Sequence, residues 1–260
     1  MNTTRPLAIR KRRSSQCGFT LVELMISILI GLFLVGGLLT LTSAMKRTSG
    51  SQTGLSNLQE NERMAMTLMT DVIQSAGYYP NPTVSSAATA LPVTGVFTFG
   101  GQSVYGTGAF NAASPFDSIT VRYRTGGTAA NDNTINCTGN TSAAATTYVN
   151  VFSWDPTTGD LLCSLNGATA VHIASGLTQL QIYYGVQTNV TTTATSIDGY
   201  LDAAAVTAGS YWGNVISVKV YLTFTNPLYR TTAGTVVAGQ PATIQFIRVI
   251  NIMNKAGVNT

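Results

Sequence analysis

The sequence predicts an α+β protein. A long N-terminal helix, transmembrane in its first half and amphipathic in its second, packs on an antiparallel β-sheet domain with long loops. Three observations carry this reading. Phe19 to Met45 is apolar, with Glu23 as its one ionisable residue and no proline. A 3.6-residue apolar period follows, from Leu55 to Ala76. Beyond Pro80 the period falls to two, in segments separated by Gly-, Pro-, Asn- and Thr-rich stretches. The helix is placed at residues 19–78 and the β-rich part at 79–260.

The apolar run comes first. At ~1.5 Å per residue it reaches roughly 40 Å as a helix, more than the ~30 Å of a bilayer core. Residues 19–45 are therefore read as membrane-spanning. Arg5, Arg10, Lys11, Arg12 and Arg13 precede the run and orient its N-terminus to the cytoplasm. A secretory signal places its cleavage site after the apolar region. Here Gly18 stands before it, so cutting there leaves the helix on the protein. Cys17 has no apolar region upstream, which excludes a lipoprotein reading. Gly31, Gly36 and Gly37 each weaken a helix by about 1 kcal/mol relative to Ala. They suit either local bending or close helix packing. Glu23 is costly in lipid unless shallow or paired; it either snorkels to the interface or meets a cation.

Lys46 and Arg47 end the span, and Thr48 to Gly54 is polar, a place for the helix to fray or bend. Leu55, Leu58, Glu62, Ala65, Met66, Met69, Val72, Ile73 and Ala76 then share one face, with the methionines read as core. Gly77 suits a C-cap, with Pro80 beyond it. Asn81 to Leu91 reads as a surface loop.

Strands follow. Val93 to Phe99 is one candidate. Ile119, Val121 and Tyr123 alternate with Ser118, Thr120, Arg122 and Arg124, the pattern of a half-buried strand. Thr125 to Thr147 is a long loop; its Asn131-Asp132-Asn133 resembles a calcium-loop fragment but reads as a turn. Tyr148–Trp154 and Leu161–Leu165 flank a turn at Asp155–Asp160 and form a hairpin. Leu180, Ile182, Tyr184 and Val186 alternate again. Gln187 to Asn214 is a polar insertion. In the strand Ile216 to Phe224, Ile216, Val218, Val220, Leu222 and Phe224 line one face. Ile244 to Met253 is a last, mostly apolar strand.

The formal net charge of +4 comes from 14 Lys+Arg against 10 Asp+Glu. Five of the cations precede Gly18, so the rest of the chain carries 9 against 10 and is near −1. The basic character belongs to the N-terminal segment, and no nucleic-acid partner is expected. Cys137 and Cys163 remain after Gly18, an even count in an oxidising compartment. A disulfide is the default there, with two buried thiols as the alternative.

Catalytic signatures are missing: no Gly-x-Ser-x-Gly elbow, phosphate loop or His/Cys metal spacing is present. His172, the one histidine, sits in a strand-like segment and reads as structural. Asp198 and Asp202 are weak as an acid/base pair, and Asn189-Val190-Thr191 is a chance glycosylation triplet. No enzyme activity, metal or cofactor is expected.

Arg10-Lys11-Arg12-Arg13…Gly18-Phe19-Thr20-Leu21-Val22-Glu23 resembles the leader and cleavage motif of type IV prepilins. The resemblance implies a leader at residues 1–18, cleavage between Gly18 and Phe19 by prepilin peptidase, N-methylation of Phe19, and Glu23 as the assembly carboxylate. The carboxylate would then pair with the α-ammonium of Phe19, its own or a neighbour's. Leu58-Gln59-Glu60-Asn61-Glu62-Arg63-Met64-Ala65-Met66, followed by Asp71-Val72-Ile73-Gln74-Ser75-Ala76-Gly77-Tyr78, resembles the PilW minor pilins. The J-type pseudopilins of type II secretion share a looser form of it. The cysteine hairpin and Asp198–Ala203 with Trp212–Val215 are also similar to the PilW pattern. The resemblance implies a pilin-like fold in a structural minor pilin, held in the inner membrane with its C-terminal part periplasmic, and on the pilus at the cell surface after assembly. It further implies major and other minor pilins as partners and a part in initiating assembly within a tip or priming complex. A J-type pseudopilin and a tip ligand-binding or adhesion module are the alternatives.

Overall fold

Thr20 to Gln74 sets the frame in the computed structural model, which describes residues 18–109, 117–132, 134–189, 196–230 and 234–254. Helix α1 runs Leu21–Gln74, starting two residues later and ending four earlier than the 19–78 expected. The polar stretch at 48–54 is helical throughout rather than frayed. Propensity is a weak prior against a continuous hydrogen-bond ladder, and side chains such as the Thr48 hydroxyl bond back to it (Ala44 O, 3.1 Å). After the helix, Gly77 has φ +78°, the left-handed conformation that ends many helices. Its N–H donates to the Arg122 carbonyl at 3.0 Å.

Residues up to Gly50 and residues from Ser51 onward form two units. In the first, every large apolar side chain named from Phe19 to Met45 is at least half exposed, up to 83% at Phe33. In the second, Leu58, Ala65, Met66, Met69, Val72, Ile73 and Ala76 are buried, on the face their spacing gives. Leu68 widens that stripe.

The β part consists of two antiparallel sheets. The first has the order β1-β2-β3-β4-β5: β1 (Val104–Thr107), β2 (Ser118–Thr125), β3 (Thr146–Asp155), β4 (Asp160–Leu165) and β5 (Val171–Ala174). The second has the order β7-β6-β8-β9: β6 (Leu177–Val186), β7 (Gly199–Leu201), β8 (Val215–Thr225) and β9 (Thr243–Asn251). Asp155 pairs with Asp160 across the β3–β4 turn, as the hairpin reading requires. One core joins the helix stripe to Ile119, Val121, Phe152, Leu180, Val218, Val220 and Leu222.

Several elements differ from the sequence reading. Val93–Phe99 is not a strand; it holds only a single Thr94–Phe97 bridge in a turn. Phe97 is buried there while Val93 and Val96 face out. Strand β2 is buried on both faces, because residues 91–103 fold over its outer side. Arg122 is fully buried under them. Its guanidinium donates to the carbonyls of Leu91, Pro92 and Gln102 and lies 4.1 Å from the Phe97 ring centre. Burial lowers its pKa to about 10.

Strand β1 was not anticipated, since Val104–Thr107 is short and holds Gly106. A Cβ at Gly106 would overlap the Tyr184 hydroxyl, so the sheet needs glycine there. In β8 the alternation breaks at a bulge, where Gly185 faces Ser217 but Val186 faces Val215. The extra residue turns Ile216 away from the buried face and puts Val215 on it. The insertion at 187–214 contains β7 and α3 (Ala203–Ala208), then a 3-10 turn at Tyr211–Asn214. The loop at 81–91 holds the one-turn helix α2, Ala87–Ala90, capped by Ser86.

Candidate assembly site

Glu23 lies in the first turn of α1. Thr20 precedes the helix, and its hydroxyl accepts from the Glu23 N–H at 3.3 Å. Its carbonyl accepts from Leu24 N–H at 3.2 Å. Thr20-Leu21-Val22-Glu23 therefore has the S/T-x-x-E spacing of a capping box. The carboxylate sits at the positive end of the helix dipole, a second reason for an acid at this point. That signal was readable from the spacing alone.

Gly18 and Phe19 lie just before the helix. A Cβ placed on Gly18 would meet nothing within 4 Å, and its φ is not in the left-handed region, so the folded chain itself imposes no requirement for glycine. Gly31, Gly36 and Gly37 are equally open. The helix surface from Phe19 to Met45, 79% exposed at Phe19 and 62% at Met45, is covered by nothing in the first unit. It is long and apolar enough to cross a membrane. The basic cluster Arg5 to Arg13, with Cys17, lies outside the described residues.

In the second unit Cys137 and Cys163 form a disulfide, with their Cα atoms 6.2 Å apart. Cys163 on β4 faces Phe152 of β3. Cys137 is held from the other side, its N–H donating to Asn150 Oδ1 at 2.9 Å. The long loop is thus fastened to the sheet within the core.

The remaining candidate polar residues serve the backbone. Asp132 accepts from the Thr125 hydroxyl at 2.6 Å and the Gly126 N–H at 2.7 Å. Burial works against its charge, but these bonds and one from Tyr78 keep its pKa below the usual carboxylate range. It closes a turn; Asn133 lies outside the described residues. Asp198 accepts from the N–H groups of Asn189 and Thr188, which depress its pKa; Val190 and Thr191 lie outside the described residues. Asp202 caps α3 through the Ala205 N–H at 2.8 Å. Each of these two carboxylates thus serves its own turn or helix end. His172 is on β5, about half exposed, with Nε2 3.4 Å from Asp160 Oδ1. An open cleft of about 700 Å³ is lined by Asp71, Gln74, Tyr78, Asp132, Ile135 and Asn254 among others. Among the described residues no group of three or more His, Cys, Asp and Glu gathers to hold a metal.

Comparison with known proteins agrees at both ends of the chain. Residues 13–39 match the prokaryotic N-terminal methylation motif, and residues 157–246 match the type IV pilus-assembly protein W family. No curated protein matches the sequence. Among solved structures, the type IV-like pilin TTHA1219 from Thermus thermophilus is similar at 8% identity and a TM-score of 0.40, over 76% of this chain and 98% of that one. An apolar N-terminal helix behind a methylation motif, followed by antiparallel sheets, defines the class of type IV pilin-like proteins. Within that class the two matches support a PilW-like minor pilin, the family model covering residues 157–246.

Proposed function

We propose that the chain is made as a prepilin and cut after Gly18 by prepilin peptidase, with Phe19 then N-methylated. Residues 1–18 are the leader, 19–78 the assembly helix, and 79–260 the periplasmic, later extracellular, part. Before assembly the helix holds the protein in the inner membrane with its N-terminus cytoplasmic. It then packs among major and other minor pilins in a type IV pilus. There the protein takes part in initiating assembly, within a tip or priming complex.

The observation that carries this reading is the pairing of an uncovered apolar stretch, Phe19 to Met45, with one carboxylate in the first turn of α1. The capping position and the helix dipole favour an acid there, and a neighbouring α-ammonium would neutralise it. Between packed helices, an ion pair of Glu23 with the α-ammonium of Phe19 is weakly screened and fixes axial register. The open surfaces at Gly31, Gly36 and Gly37 let neighbouring helices approach closely. The β part makes lateral contacts, and the disulfide keeps it closed outside the cell.

A clean deletion should reduce surface piliation, and the wild-type gene should restore it. Glu23→Ala should reach the membrane and be cut, yet fail to restore piliation. Normal piliation in the deletion strain would overturn the initiation role.

A further inference from the structure

Four strands end the two sheets, and three are poor templates for another chain. β7 has three residues and β5 four, and β5 is bulged where Leu161 and Leu162 face it. β1 has four residues and is met by α3, whose Ala204 N–H donates to the Gly108 carbonyl at 3.2 Å. Short length, bulging and cover are the usual ways of blunting an edge.

β9 is neither short, bulged nor covered along its edge; its one charge, Arg248, reaches α1, with Nη1 donating to Thr70 Oγ1 at 3.5 Å. The strand runs nine residues and pairs with β8 without a register shift from Thr243 to Asn251. It contains neither proline nor lysine.

Two bonds fix which of its groups face outward. Asn226 N–H donates to Ala242 O at 3.0 Å, and Ile252 N–H donates to Ile216 O at 2.9 Å. In an antiparallel ladder, hydrogen-bonded pairs alternate with non-bonded ones. Ile244, Phe246, Arg248 and Ile250 therefore bond to β8. Thr243, Gln245, Ile247, Val249 and Asn251 turn their N–H and C=O groups outward. All five are exposed, Ile247 at 57% and Val249 at 49%. Among the described residues no strand pairs with this edge.

We infer that the outer edge of β9 is a strand-addition site for an extended segment of a different polypeptide. Main-chain groups at a two-residue repeat are satisfied by another extended backbone. The occupant carries apolar side chains on the Ile247/Val249 face and a carboxylate on the opposite face, near Arg248. Charge argues against a second copy: Arg248 is the one charged residue of β9, so no register of β9 against itself offers that cation an acid. The inference rests on the pilus reading only for where the partner is met.

The test places a benzophenone-bearing residue at Gln245 of the full-length chain in its native cells. Adducts are collected from membranes and from sheared pili. Val249→Pro removes one outward N–H and spares the β8 ladder, as edge strands allow; Val249→Thr keeps the N–H. Adducts to one other protein, within a stretch of alternating apolar residues that includes an acid, should fall roughly tenfold in Val249→Pro and hold in Val249→Thr.

In the purified wild-type chain in detergent, the amides of Gln245, Ile247 and Val249 should exchange about a hundredfold faster than those of Ile244, Phe246 and Arg248. Continued protection of the latter three in Val249→Pro shows that its ladder is intact. Adducts to a second copy, adducts unaffected by Val249→Pro, or slow exchange of the outward amides would each overturn the inference. Adducts found in membranes but never in pili would support the edge site and contradict the pilus reading.

Discussion

Replacing Arg122 with Met should destabilise the protein by about 2 kcal/mol. The side chain is fully buried, and its guanidinium meets carbonyl oxygens and the face of Phe97 rather than a carboxylate. Leu91 O keeps the Gly101 N–H when the guanidinium goes, and Phe99 O keeps the Gln102 N–H. Pro92 O and Gln102 O lose their donor. Two orphaned carbonyls cost about 4 kcal/mol together at the middle of the usual range, and loss of the ring contact adds about 1 kcal/mol. Against this, the variant no longer buries a cation. The fall of the Arg122 pKa to about 10 puts that relief near 3 kcal/mol. Urea unfolding of the full-length protein in detergent measures the net effect. Hydrogen exchange should show residues 91–103 losing protection before the helix stripe does. A loss under about 0.5 kcal/mol, or an unchanged exchange pattern in 91–103, would refute the claim that this cation organises the loop.

Two further outcomes follow from buried groups. Burial raises the pKa of Asp117 to about 6, against a hydrogen bond from the Ile182 N–H that favours the anion. The folded state therefore holds this proton more tightly than the unfolded state. Its contribution is complete below pH 4 and is lost as pH rises through 6. Asp117→Asn should remove a decline of about 2 kcal/mol between those limits, allowing for partial solvent screening; a wild-type-like difference profile over that range would contradict it. Opening the Cys137–Cys163 link, which closes a 26-residue separation, should cost about 3.5 kcal/mol by chain entropy. Unfolding of a double Ala variant in detergent, with the helix span intact, checks it; a loss under about 1 kcal/mol would show that the loop is held by packing instead.

Much of this fold was legible because the governing signals are local. Phe19–Met45 shows itself by length and apolarity, and the stripe from Leu58 to Ala76 by period. The β3–β4 hairpin is marked by its Pro- and Gly-containing turn. The failures share a cause: burial decided by segments distant in sequence. β2 was read as half-solvated because Arg122 and Thr120 look polar, but residues 91–103 cover that face and supply carbonyls to the guanidinium. The bulge at Ile216 shifts a side chain to the other face, and the glycine at it, Gly185, lies on the partner strand β6 rather than in β8. β9 is apolar yet mostly exposed, so its composition alone gave no sign that it ends a sheet. At the N-terminus the motif was plain from its residues, while the capping role of Thr20 was passed over in favour of Glu23.

The central claim is that the helix following Phe19 is a processed assembly helix rather than a simple anchor. Mass spectrometry of this chain from sheared, washed pili tests it most directly. The account predicts a terminal peptide that begins with N-methylated Phe19 and retains Glu23. A chain found in the pilus with Arg10 to Gly18 still attached, or one confined to the membrane fraction, would contradict it.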